Sequence, residues 1–212
     1  LFNLIAKGEE YEVYSNDTNI HILAQELTKE GVIDEFLDIN LVLREKETDP
    51  RLREMLSKNF SDIFLIFDFD PQHSYPSFNK VQTLLDYFTD STTVGKMYIN
   101  YPMMESFRHL NQMPDEGFCE RAVGLKECLA YKKLVNQESK YVNLQKLNYN
   151  ILISMAVHHI KKSNYIRKGD YNMPLIEDFE KWTENEVYKK QSDVMANENR
   201  IYVVNEFFTY IA

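Results

Sequence analysis

The sequence predicts an α/β protein: a mostly parallel sheet flanked by helices, followed by a mainly helical C-terminal appendage. Three observations carry that prediction. Short apolar runs of strand length alternate with stretches whose apolar residues recur at helical spacing. Parallel strands need crossover helices of the kind this alternation supplies. From about residue 111 onward the helical period dominates, so that 1–110 reads as an α/β domain and 111–212 as a mainly helical region packed on it.

The elements follow in order. "EYEVYS" (Glu10 to Ser15) alternates polar and apolar residues as a strand does. "NDTNIHILAQELTKEG" then spaces Ile20, Leu23, Ala24 and Leu27 on one helical face before Gly31. Residues 32–60 are charged and helical in period, with Phe36, Leu37, Leu41, Leu52, Met55 and Leu56 as inward positions and Pro50 dividing two halves. Ile63 to Phe67 form an unbroken apolar and aromatic run, read as a buried central strand, that ends in the acids Asp68 and Asp70. "PSFNKVQTLLDYF" is a helix entered at Pro76 or Ser77, with Phe78, Val81, Leu84, Leu85 and Phe88 inward. "GKMYIN" (Gly95 to Asn100) is a further strand.

In the C-terminal region "NQMPDEGF" is a loop. "LQKLNYNILISMAVHHIKKSNYI" is a strong helix with Leu147, Ile151, Leu152, Met155, Ala156 and His159 inward; residues 174–196 are more helix; and "RIYVVNEFFTYI" closes as a strand or a buried helix.

Composition narrows the function. A net charge of −9 argues against a surface that coats nucleic acid, because non-specific affinity for a polyanion comes from neutralising its phosphates. Cys119 and Cys128 form neither a C-x-x-C zinc pattern nor a disulfide framework, which makes a reducing, cytoplasmic setting the expectation. No apolar run reaches bilayer length, so no membrane partner is expected. The absence of Walker A, G-x-G-x-x-G and G-x-S-x-G patterns removes a P-loop ATPase, a Rossmann dinucleotide binder and an α/β-hydrolase, and makes any ATPase a partner protein.

What remains is the acid-tipped strand. Open α/β sheets present ligands at the carboxyl ends of their strands, where Asp68, Asp70, Asn100, Pro102 and Glu105 would lie. Asp68 and Asp70 would point to one side of an extended strand end, since side chains alternate in direction. Two neighbouring carboxylates need a cation or a proton between them, and oxygen-rich sites of this kind suit Mg²⁺ or Mn²⁺. Glu105 is the candidate third acid, as a ligand or as the group that orients a water. Lys162 and His159, within "HHIKK", are candidates for a phosphate contact or proton donor; His73, Arg108 and His109 stand close enough in sequence to join. The competing reading has Asp68 and Asp70 capping a turn before Pro71, and "HHIKK" complementing a helix dipole.

"DIFLIFDFDPQ", a helix, and then "GKMYINYPMMESF" resemble the D-x-D strand and a later acid-bearing segment of TOPRIM-fold nucleases, especially those of the OLD and related phage-defence types. "EYEVYSNDTNIHILAQEL" resembles the preceding strand and helix of that fold, so the resemblance spans about residues 10–110. It implies divalent-metal-dependent cleavage of DNA or RNA, with Asp68 and Asp70 as metal ligands. That family also uses a glutamate from its first strand, followed by glycine. "KGEE" (Lys7 to Glu10) has these residues in the wrong order, so either that strand lies ahead of Leu1 or the site is incomplete. An incomplete site would favour the other class of function, a non-catalytic α/β interaction module or scaffold subunit.

Overall fold

The structure, a computed structural model, describes residues 8–15, 18–28, 32–72 and 77–210. The chain divides into two compact units, and the division does not follow the sequence. Gly8–Leu65 and Ser77–Met97 belong to one, here the N-terminal unit; Ile66–Pro76 and Tyr98–Ala212 belong to the other, the C-terminal unit. The units do not divide at residue 110: Asn100 and Tyr101 pair with Asn205 and Val204 of the last strand, described below.

In the N-terminal unit, helix α1 (Ile20–Leu27) begins where the Asn19 side chain accepts a hydrogen bond from the Ile22 N–H, and it buries Ile20, Leu23, Ala24 and Leu27. Residues 32–60 form two helices, α2 (Ile39–Lys46) and α3 (Pro50–Met55). Asp38 and Asp49 cap them, and Pro50 occupies the first turn, where its missing N–H costs nothing. The inward set follows the periodicity only in part: Leu56 is buried as expected and Ile33 and Ile39 are buried besides, while Phe36 (85% exposed) and Leu41 face water. The reason is length. Two helices of eight and six residues present less than a full apolar stripe each. Helix α4 (Phe78–Tyr87) buries Val81, Leu84 and Leu85, with Phe88 following, and each such side chain contributes about 1.5–3 kcal/mol. Glu10 to Ser15 form no strand, and Val13 stays 61% exposed, so the alternation there has no sheet to serve among the described residues.

Strands β1 (Phe64–Asp68), β2 (Thr89–Asp90) and β3 (Gly95–Tyr101) lie in the order β1-β3-β2, and β6 (Val204–Asn205) also pairs with β3. The Lys96 N–H donates to the Ile63 C=O, and the Phe69 N–H to the Asn100 C=O; both bonds advance in the same sense, so β1 and β3 run parallel. The β2–β3 and β3–β6 pairs are antiparallel, which makes the sheet mixed rather than mostly parallel. β1 ends the described sheet instead of occupying its centre, and its residues are exposed or half-buried. The central, buried strand is β3.

The C-terminal unit is built on α6 (Tyr149–Lys168), which follows α5 (Tyr131–Glu138) and precedes α7 (Ile176–Phe179) and α8 (Glu184–Glu198). Asn148 caps the start of α6, and Gly169, at φ 76°, ends it in the left-handed conformation that glycine adopts without strain. "HHIKK" therefore lies inside the helix and not at its end. Two further strands, β4 (Ala122–Gly124) and β5 (Arg200–Tyr202), pair antiparallel, and α9 (Glu206–Tyr210) closes the described chain. The last segment is thus both strand and buried helix, and through β6 the C-terminal region contributes to the sheet. Among the described residues no helix is long and apolar enough to cross a membrane.

Candidate functional site

β1 and β3 deliver their ends side by side within the C-terminal unit. The Phe69 N–H donates to the carbonyls of Asn100 and Pro102, so the chain leaving β1 is stitched to the chain leaving β3. Immediately beyond, Met104–Arg108 form a 3-10 turn, and the Met104 N–H donates to the Asp68 carboxylate at 2.7 Å. That bond brings the Glu105 turn onto Asp68.

Asp68 stands on the exposed end of its strand. Its carboxyl is nonetheless crowded by protein, which pushes its pKa up to about 6; the Met104 N–H and the Asn100 side chain favour the charged form, while the Glu105 and Asp70 carboxylates oppose it. The open side of the residue lets water screen these effects, so their bearing on stability is small. The Asp68 carboxyl is thus within electrostatic reach of both Glu105 and Asp70. Glu105 is 18% exposed and ion-paired to Lys132 at 3.3 Å. Asp70 accepts from the Gln72 N–H at 3.3 Å, and the Gln72 side chain donates to the Leu125 carbonyl.

Among the described residues no three His, Cys, Asp or Glu side chains are gathered closely enough to hold a bare metal. Magnesium, however, is commonly held by one or two carboxylates with waters filling its other positions. The Asn100 Oδ1 is buried and without a hydrogen-bond partner, while its Nδ2 lies 3.8 Å from the Met104 sulfur.

Lys162 and His159 do not join this group, and the roles expected of them are corrected by their surroundings. Both are fully buried on the inward face of α6. The Lys162 ammonium donates to the carbonyls of Phe118, Cys119 and Arg121 and sits 4.5 Å from the centre of the Tyr202 ring. Burial lowers its pKa to about 7, whereas three carbonyl acceptors call for the charged form with its three N–H donors. No donor is left for a phosphate. His159 has both ring nitrogens engaged: Nε2–H donates to the Phe107 C=O at 3.1 Å, and Nδ1 accepts from the Asn205 N–H at 3.1 Å. Burial pushes its pKa down to about 3, which holds the ring neutral. It cannot act as a proton donor at neutral pH.

Arg108 and His109 are also buried. His109 lies between the Tyr131 hydroxyl and the Glu138 carboxylate, each at 2.9 Å, and Arg108 donates to the Asn136 side chain, leaving one guanidinium nitrogen without a partner. His73 lies outside the described residues. Two groups near these acids escaped the sequence: the backbone N–H of Met104, which no side-chain pattern reveals, and the Asn205 amide, which bonds the Met104 carbonyl. The latter had one signal, an amide placed inside the apolar run "YVVNEFF".

No family model matches the chain, and neither a curated protein nor a solved structure matches it.

Proposed function

We propose that this chain is a Mg²⁺- or Mn²⁺-dependent phosphodiester hydrolase acting on nucleic acid, TOPRIM-like in its site. The observation that supports the proposal is that Asp68 and Asp70 leave β1, and Glu105 leaves β3, at adjacent strand ends, near enough for both other carboxylates to raise the Asp68 pKa. Asp68 and Asp70 would hold the ion, with Glu105 ligating or orienting a water. When bound, the ion supplies local positive charge that an acidic protein otherwise lacks, and polarises a phosphoryl oxygen. The Met104 N–H fixes the Asp68 carboxylate, and Lys132 neutralises Glu105 until a cation displaces it. The sequence resemblance to OLD-type nucleases supports a phage-defence setting, in which a partner such as an ATPase provides affinity for the polyanion.

The test is calorimetric titration with Mn²⁺, and cleavage of supercoiled plasmid and single-stranded RNA with and without candidate partners. An Asp68→Ala, Asp70→Ala double mutant runs alongside. The proposal expects binding and cleavage that the double mutant loses; equal activity in the mutant, or no Mn²⁺ binding by the wild type, refutes it.

A second reading, an interaction module without catalysis, is favoured by one observation: Asp68 already caps the Met104 N–H, and Glu105 already pairs with Lys132. Under that reading Mn²⁺ leaves the protein unchanged.

A further inference from the structure

We infer that Asn205 is the positioning residue of the strand-end site, holding the Met104–Arg108 turn in the one orientation that aims the Met104 N–H at Asp68 and sets Glu105 beside it.

The hydrogen bonds leave little freedom. Asn205 pairs with Asn100 across β3 and β6, which places its side chain beside the turn that follows β3. Its Nδ2 donates to the Met104 C=O at 3.2 Å and to the Ser106 Oγ at 3.3 Å, and lies 3.8 Å from the Met104 sulfur. Its Oδ1 accepts from the Phe208 N–H at 3.0 Å, which fixes the amide orientation, since only an oxygen accepts there. The Ser106 hydroxyl in turn donates to the Val204 C=O at 3.3 Å. His159 completes the frame, accepting the Asn205 N–H on Nδ1 and donating from Nε2 to the Phe107 C=O. Two carbonyls of the turn, those of Met104 and Phe107, are thus held by Asn205 and His159, while the Met104 N–H donates to Asp68. Asn205 is fully buried and acts through its bonds to Met104 and Ser106.

This rests on reading Asp68 and Glu105 as a cation site, and the experiment separates the two. Asn205→Asp keeps the acceptor for the Phe208 N–H and removes both donors to the turn; Ser106→Ala removes the weaker of the two partners together with the Ser106 bond to Val204. Val123→Ala, in the buried face of β4, reports general loss of stability. The readouts are amide proton shift and hydrogen exchange by NMR, and Mn²⁺ affinity. In Asn205→Asp the Met104 amide loses the downfield shift of a charge-assisted bond and exchanges at least about tenfold faster, while Leu152 and Ile160 of α6 keep their protection. Mn²⁺ binding weakens by about tenfold or more, as loss of a supporting partner does at other metal sites. Ser106→Ala shows the same pattern at smaller size, and Val123→Ala leaves the Met104 shift in place. A Met104 amide unchanged in Asn205→Asp, or lost only in step with every amide of the unit, overturns the inference. If wild-type protein binds no Mn²⁺, the cation reading fails by itself and the Met104 amide still decides the role of Asn205.

Discussion

The strand-end acids and the inward side chains His159 and Lys162 of α6 are two polar regions of one compact unit, and they differ in their access to solvent. At Asp68, Asp70 and Glu105 the carboxylates stand at or near the surface, and one takes a single backbone N–H while another leans on a surface lysine. Around His159 and Lys162 every donor and acceptor of the two side chains is used, and water is excluded. Capacity for a ligand requires groups whose best partner is missing. Capacity for holding a fold requires groups whose partners are all present.

The comparison breaks most visibly at Lys162. Replacing it with Met removes an ammonium from the interior but strands three carbonyls, at an expected cost of about 3 kcal/mol or more in urea unfolding. A variant as stable as wild type would mean that water reaches those carbonyls and that the region is not closed.

His159 comes next. His159→Ala should cost about 2–3 kcal/mol through two lost hydrogen bonds and a cavity. It also carries a pH signature. Its pKa is about 3 in the fold against 6.5 for the free side chain, so the unfolded chain binds the extra proton. Its contribution is therefore complete above about pH 6.5 and is lost progressively as pH falls toward 3. Thermal melts across that window should show a wild-type slope that His159→Gln flattens.

Asp68 tests the open region, with the opposite sign. Its folded pKa is raised from 3.8 to about 6, so its proton-linked stability is present below 3.8 and is lost as pH rises through 6. Asp68→Asn should stabilise the protein at pH 7 by about 1 kcal/mol after screening by water, while abolishing Mn²⁺ binding. Destabilisation instead would show that the charged carboxylate is needed to hold the Met104 turn.

The smallest effect belongs to Lys132. Its ion pair with Glu105 is largely exposed, so Lys132→Ala should change stability by no more than about 0.5 kcal/mol. Mn²⁺ affinity should nevertheless rise, since the ion no longer competes with an ammonium; weaker binding would place Lys132 among the groups that hold the site.

Local pattern alone determined much of this molecule. Ile20, Leu23, Ala24 and Leu27, and Val81, Leu84, Leu85 and Phe88, announced α1 and α4 because a helix repeats its inward face every few residues. The strands at 64–68 and 95–101 were announced by apolar runs. Tertiary structure decided the rest. Glu10 to Ser15 had the alternation of a strand without a described partner, and a strand exists only through its pairing. β1 proved to end the described sheet and β3 to be buried, because pairing order is not written in any one segment. His159 and Lys162 carry the same side chains on a surface or in a core; only the carbonyls of Phe107, Phe118, Cys119 and Arg121, brought to them by distant chain, spend their hydrogen bonds. Asn205 reaches Met104 across about half the chain, and no local rule couples two residues that only the closed fold makes neighbours.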